Sequence, residues 1–289
     1  MIGTDEIFAK VQTLPTLPTS VARLAALIND PRAGTLDFES VIRPDPALTA
    51  NLLRLANSAY FGLSREVVSV RQAVALMGLK RVFEMATSAA FARVIPPFLP
   101  GYGIAAGDFW THCIAVGILS ERLARDLGRD VPGLLFTAGL LHDVGKLAIG
   151  SFLVDEALPM HAHLADGRIS FVAAERAVLG TDHAEVGLAA AERWALPPAI
   201  GVAARWHHAP LDAPTPEGRV AAALVHAADC LAHMLGFGTD VGEMRREVDR
   251  RVVEMFDLRP ARLERVAGDT LAEISEMARL MIAPQESRP

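Results

Sequence analysis

Apolar residues recur at intervals of three and four along almost the whole chain, and nowhere does a two-residue alternation persist long enough to define a strand. That property restricts the fold to an all-α architecture. Val21 to Ile28 follows Thr19 and Ser20, both good N-cap residues. Pro44-Asp45-Pro46 reads as a turn, because each proline biases its predecessor away from helix. Leu48, Leu52, Leu53 and Leu55 then place an apolar stripe on a helix over 47–57. Ser69-Val70-Arg71-Gln72 matches a capping box, in which Ser69 and Gln72 satisfy each other's free amides. The helix it opens is predicted to stop at Gly78, with a longer one from about Arg81 to Val94.

Pro96-Pro97-Phe98-Leu99-Pro100-Gly101-Tyr102-Gly103 is the strongest break in the pattern. It places a boundary near residue 100 and predicts two packed helical subdomains, 1–100 and 101–289. In the second, the periodicity predicts helices near 105–127, 132–142, 170–179, 184–194, 198–207, 218–235, 241–257 and 260–282.

The chain has 289 residues, 51% of them hydrophobic and 21% charged, which is enough apolar material for a sizeable core. So apolar a composition raises a membrane reading, but the most apolar stretch, 134–154, is interrupted by His142, Asp143 and Lys146. No run reaches the roughly 18–20 residues a spanning helix needs. The first residues, Met1-Ile2-Gly3-Thr4-Asp5-Glu6, lack the basic and apolar regions of a signal peptide, so a cytoplasmic location is expected. Cys113 and Cys230 are too few for a disulfide framework and read as small buried hydrophobes, or as thiolate ligands. A net charge of −6 speaks against nucleic acid as a general partner.

All nine histidines lie after residue 111, so one part of the chain holds the chemistry. The sharpest motif is Gly139-Leu140-Leu141-His142-Asp143-Val144-Gly145-Lys146. Adjacent side chains on a helix point about 100° apart. A His-Asp pair can converge on one ion only where the helix ends, and Gly145 is expected to let the backbone turn there. Imidazole and carboxylate together suit Fe, Mn, Zn or Ni, and a carboxylate can bridge two ions. Asp108 and His112 are four apart on a predicted helix. His183 follows Gly180-Thr181-Asp182 at a helix start, His207-His208 stand at a helix end, and Asp229 sits in an apolar helix. An acidic residue in a first helical turn is also explained by the helix dipole, which is the plainer reading of Asp108. His161, His163, His226 and His233 read as surface or core residues, and Trp110, Trp194 and Trp206 as core anchors.

His112, His142-Asp143, His183, His207-His208 and Asp229 resemble the ordered ligand set of the HD superfamily of metal-dependent phosphohydrolases. His142-Asp143-Val144-Gly145-Lys146 is similar to the form found in its cyclic-dinucleotide phosphodiesterase branch. Leu14-Pro15-Thr16-Leu17-Pro18, the stretch Asp45-Pro46-Ala47-Leu48-Thr49-Ala50-Asn51-Leu52-Leu53-Arg54-Leu55-Ala56-Asn57-Ser58-Ala59-Tyr60-Phe61-Gly62, Ala73 to Leu79, and His183-Ala184-Glu185-Val186-Gly187 resemble the HDOD family, over about residues 10–235. That resemblance implies a bacterial signal-transduction output or adaptor module, of the kind linked to response regulators, with an HD-type helical bundle in its C-terminal part and signalling proteins as partners. Many such modules have lost HD ligands, whereas this sequence keeps nearly every ligand type. It departs from the phosphodiesterase branch in having Ala209-Pro210-Leu211-Asp212 where that branch carries a Gly-Tyr-Pro signature.

The resemblance therefore implies one or two divalent transition-metal ions held by His112, His142, Asp143, His183, His207, His208 and Asp229. The alternative function is a metal-dependent phosphohydrolase, a phosphodiesterase acting on a nucleotide or cyclic dinucleotide. Asp143 would then bridge two ions, and Lys146 would neutralise charge on a phosphoryl oxygen or, alternatively, snorkel at the helix surface. A transcription factor is the weakest reading, since no basic recognition helix is found. If the chain works through protein contacts, Asn57-Ser58-Ala59-Tyr60 is the segment expected to matter.

Overall fold

A computed structural model describes residues 3–129, 134–164, 169–238 and 247–282. The chain is all-α. In order come α1 (Thr4–Thr13), α2 (Thr19–Ile28), α3 (Thr35–Ile42), α4 (Pro46–Ala56), α5 (Val70–Phe91), α6 (Ala106–Asp126), α7 (Leu135–Leu141), α8 (Lys146–Asp155), α9 (Ala157–Leu164), α10 (Phe171–Leu179), α11 (His183–Arg193), α12 (Pro198–Trp206), α13 (Pro216–Met234), α14 (Arg250–Phe256) and α15 (Pro260–Ile282). The exception among the described residues is a two-residue antiparallel pair, β1 (Phe98–Leu99) with β2 (Ile104–Ala105), in register Phe98 to Ala105. None of these helices is long and apolar enough to cross a membrane. Residues 132–133 and 241–246 of two predicted helices lie outside the described residues.

The chain forms two compact units, one of residues 1–15 with 96–270 and the other of 16–95 with 271–289. In the smaller unit, α4 begins as its sequence requires: Asp45 accepts a hydrogen bond from Leu48 N at 2.9 Å, and Pro46 fills the first turn. The expected capping box at α5 forms only in half. Ser69 accepts from Gln72 N, but the Gln72 carbonyl takes the amide of Val68 rather than of Ser69. Gly78, at φ +81°, breaks α5 without ending it, because helical bonding resumes at once and runs to Phe91. The Asn57 amide is spent internally, donating to Val67 O and accepting from Val67 N, and so closes the loop that precedes α5.

In the larger unit α6 is the central element, with Cys113 to Leu119 buried along its length. It packs on α7 and α13. A Cβ on Gly139 would lie 2.8 Å from Gly117 Cα and from Val116 O, so α6 and α7 cross backbone to backbone at two glycines. That close crossing puts the end of α7 beside His112. Cys113 and Cys230 are free and buried, and Trp110 and Trp194 are buried in the core.

Candidate metal centre

The turn between α7 and α8 brings the adjacent His142 and Asp143 together. From Leu141 the bonds shorten to a three-residue span: Val144 N to Leu141 O, Lys146 N to Asp143 O, Leu147 N to Val144 O. A three-residue period stacks residue i over i+3, which sets Lys146 Nζ 2.8 Å from Asp143 Oδ2. Gly145 does not provide the turn by an unusual backbone conformation, as the sequence suggested, since it is ordinary right-handed helix at φ −61°. It is needed for proximity. A Cβ there would meet His183 O at 1.9 Å and Gly187 N at 2.7 Å, so α11 can come this close only to a glycine.

His183 opens α11, held by the Asp182 N-cap, which accepts from Glu185 N at 2.7 Å and pairs with Arg176. His207 ends α12. His226 of α13 braces this end, donating from Nδ1 to His207 O at 2.8 Å, while its Nε2 accepts from Asp249 N. Asp229 comes from α13 and His112 from α6.

These side chains meet in one buried cluster. Asp143 Oδ1 lies 3.3 Å from His183 Nε2 and 3.7 Å from His207 Nε2. Its Oδ2 lies 3.4 Å from His142 Nε2 and 3.7 Å from His112 Nε2. Asp229 Oδ1 is 3.2 Å from His112 Nε2 and 3.7 Å from His142 Nε2. Three sets of three donors result, each with its atoms within 4.8 Å of one another: His183 with His207 and His208, His112 with His142 and Asp229, and His142 with Asp143 and His207. The third joins the other two, so the Asp143 carboxylate stands between them.

The imidazoles are oriented from behind. His142 Nδ1 donates to Gly139 O and His207 Nδ1 to Ala204 O, both at 2.7 Å and both to the carbonyl three residues earlier, which a helix end leaves without a partner. His112 Nδ1 donates to Phe237 O at 3.1 Å, and His183 Nδ1 to Glu175 Oε2 at 2.7 Å. An acceptor at Nδ1 fixes the proton there and turns the Nε2 lone pair inward, as around metal ions. His112 and His142 Nε2 are then 3.3 Å apart, and those of His183 and His208 2.8 Å. At such separations a proton or a metal ion must lie between the lone pairs. His207 Nε2 is buried with no hydrogen-bond partner, which is the geometry of a ligand atom.

The electrostatics agree. Asp143, Glu175 and Asp229 are buried carboxylates around one buried ammonium, Lys146, and uncompensated buried charge costs several kcal/mol. Burial raises the carboxyl pKa of Asp143, but the facing His142 and Lys146 outweigh it and hold the group well below its usual range. Burial lowers the pKa of His142, yet the Asp143 charge raises it to about 9. His183 likewise reaches about 10 against burial, mainly through Glu175. Burial pushes His207 well down, and its neighbour His142 adds to this. Burial thus keeps the His207 imidazole neutral, as a ligand must be, and the set of imidazole and carboxylate donors fits a divalent transition metal.

His112, His142, Asp143, Lys146, His183, His207, His208 and Asp229 thus lie in or against one cluster. Lys146, 2% exposed, is turned inward onto Asp143 rather than snorkelling. Asp108 is exposed in the first turn of α6, apart from the cluster. Three participants were missed by the sequence reading. His233, one turn beyond Asp229, sits 3.5 Å from its Oδ1 and rings the site with His112. Glu175 accepts from His183 at both backbone N and Nδ1, and Tyr102 donates to its other oxygen. Only the i, i+4 spacing of Asp229 and His233 was visible in advance. Beside the cluster is a recess of about 10 Å³ near His112, Lys146, His233 and Gly238, room for about one water molecule.

Helical architecture and an HD-type His/Asp cluster define a class, and comparison places the chain within it. A family model described as the HDOD domain matches residues 14–210. The chain belongs to the HDOD domain family. It is similar to the crystal structure of an HDOD domain protein of unknown function from Geobacter sulfurreducens, with 25% identity and a TM-score of 0.73, over 96% of this chain and 98% of that one. A protein from Shewanella amazonensis SB2B, provisionally described as a phosphohydrolase, gives 25% identity and a TM-score of 0.73 over 95% and 97% of the two chains. A provisionally described signal transduction protein from Marinobacter aquaeolei VT8, 24% identical with a TM-score of 0.69 over 93% of this chain and 60% of that one, shares the fold. An uncharacterized protein of Treponema pallidum (strain Nichols) is 26% identical over 200 residues, 69% of this chain, and the match spans 38% of that relative's length.

Proposed function

We propose that this chain is a signal-transduction module whose HD-type centre holds one or two divalent transition-metal ions, and which acts through contacts with other signalling proteins. The observation that supports the metal is the inward convergence of Nε2 lone pairs whose Nδ1 atoms are all committed behind them. His112, His142 and Asp229 would hold one ion, His183, His207 and His208 a second, with Asp143 between. A bound ion supplies positive charge that a buried carboxylate cluster needs, and Lewis acidity toward any oxygen that reaches it.

Support for action by contact rather than turnover comes from closure. The ligand side chains are buried apart from the half-buried His208, and the recess beside them is about 10 Å³. Small-molecule sites span roughly 300–1,000 Å³, so a nucleotide does not fit that recess. Lys146 is occupied with Asp143 and presents no ammonium to a phosphate.

A second reading, a phosphohydrolase acting on a nucleotide or cyclic dinucleotide, draws on Asp143 lying between two three-donor sets, the arrangement a two-ion hydrolase uses. Turnover of a generic phosphodiester and of cyclic dinucleotides by metal-supplemented protein separates the two. The signalling reading expects none above the His142→Ala and Asp143→Ala variants. Turnover that both variants abolish would replace it with the hydrolase.

A further inference from the structure

Against Tyr102 lies a second feature that the metal centre does not use. Between the β1–β2 hairpin and helices α8, α9 and α10 is a cleft of about 470 Å³, whose described lining includes Phe98, Tyr102, Leu153, Ala157, Met160 and Phe171. Its volume falls within the roughly 300–1,000 Å³ of small-molecule sites. No charged residue appears among the described lining. The back wall is aromatic, with Tyr102 and Phe171 stacked at 5.4 Å. The wall is also fixed in place, because a Cβ on Gly101 would meet Gly150 O at 2.4 Å and Leu153 Cβ at 2.5 Å, so the hairpin is seated directly on α8. At the mouth, Phe98 and Val154 are half exposed, at 52% and 51%, a cost that an apolar ligand would remove.

Tyr102 belongs to both places. Its ring lines the cleft, its hydroxyl donates to Glu175, and Glu175 fixes His183. Lys146 Nζ stands 5.3 Å from the same ring. We propose that this cleft binds an uncharged apolar small molecule, aromatic or branched aliphatic, and that its occupancy is linked to metal at His183 through Tyr102 and Glu175. The linkage rests on the metal reading, and the binding does not. A ligand packed on the Tyr102 ring holds the hydroxyl on Glu175 and so the imidazole on the ion, which makes the two ligands mutually favourable.

The probe is 1-aminoanthracene, uncharged near neutral pH, titrated by fluorescence into the whole chain, metal-supplemented and metal-stripped. Both forms should bind saturably with a micromolar-range Kd, and metal should tighten binding about fivefold, within the usual range of coupling between sites. Ala157→Trp, at an exposed lining position, should weaken the probe at least about tenfold with an unchanged melting curve, and Val154→Asp, at the rim, serves if that variant misfolds. Tyr102→Phe should keep the probe and lose the metal effect, a readout that a purely structural tyrosine would not give. The binding claim is overturned by absence of saturation, by unchanged affinity in both cleft variants, by tighter binding of an anionic dye, or by affinity that falls as protein self-association covers the cleft. Equal affinity with and without metal overturns the linkage alone. A chain that holds no metal sinks the linkage and the metal reading together, while the probe titration still decides the cleft.

Discussion

Glu175 Oε2 accepts two hydrogen bonds from His183, one from its backbone N at 3.0 Å and one from Nδ1 at 2.7 Å. One carboxylate therefore sets the start of α11 and the tautomer of the imidazole that α11 carries. Outer partners of this kind contribute about 10–100-fold to metal affinity. Glu175→Gln, which keeps an acceptor but loses the charge, should weaken metal about tenfold in chelator competition without changing the fold. Unchanged affinity would remove Glu175 from the account.

Two glycines make a paired test of packing. Gly145→Ala drives a Cβ into the backbone of His183 and should cost roughly 3 kcal/mol in urea unfolding, together with the metal. Gly268→Ala, exposed within α15 with nothing near its added Cβ, should instead stabilise by about 0.5–1 kcal/mol. A mild effect at Gly145 would mean that α11 does not approach so closely.

Lys146 is the buried counter-charge to Asp143. Lys146→Met should destabilise the metal-stripped protein by about 3–5 kcal/mol, the cost of a buried ion left unpaired. Added metal should recover much of the loss, since the ion supplies charge at the same carboxylate. Equal losses in both forms would show that the ion and Asp143 do not meet.

The pH response of the stripped protein has a definite sign. His142 and His183 titrate at about 9 and about 10 in the folded chain, against about 6.5 for an imidazole in an unfolded one. A folded pKa raised above the unfolded value gives stability fully present below about pH 6.5 and lost as pH rises through about 9 to 10. Metal at Nε2 takes the place of those protons. Urea midpoints should therefore fall between pH 6.5 and 9.5 in stripped protein and stay level in loaded protein. A parallel fall in both would contradict ligation by these imidazoles.

Much of this centre was legible from local signals. His142, His207 and His183 stand at helix ends, and helix ends are written in caps, prolines and glycines that act within a few residues. The spans of α6, α10, α12, α13 and α15 were legible instead from the recurrence of apolar residues at intervals of three and four, which is also a local signal. Glu175 was not legible, because between Ala174 and Arg176 a glutamate reads equally as solvent-facing, and only the arrival of α11 and Tyr102 buries it. Gly145 was noticed for the wrong cause: its role lies in a contact made 38 residues along the chain, at His183, not in its own φ and ψ. In the sequence His233 reads no differently from His226, and packing alone sends one to Asp229 and the other to His207 O.

Metal at this His/Asp cluster is tested most directly by elemental analysis of gently purified, metal-supplemented protein beside His142→Ala and His207→Ala. About one to two equivalents of transition metal per chain are expected in the wild type, and a marked loss in both variants. Less than about 0.2 equivalents in the wild type, or metal retained by both variants, would contradict it.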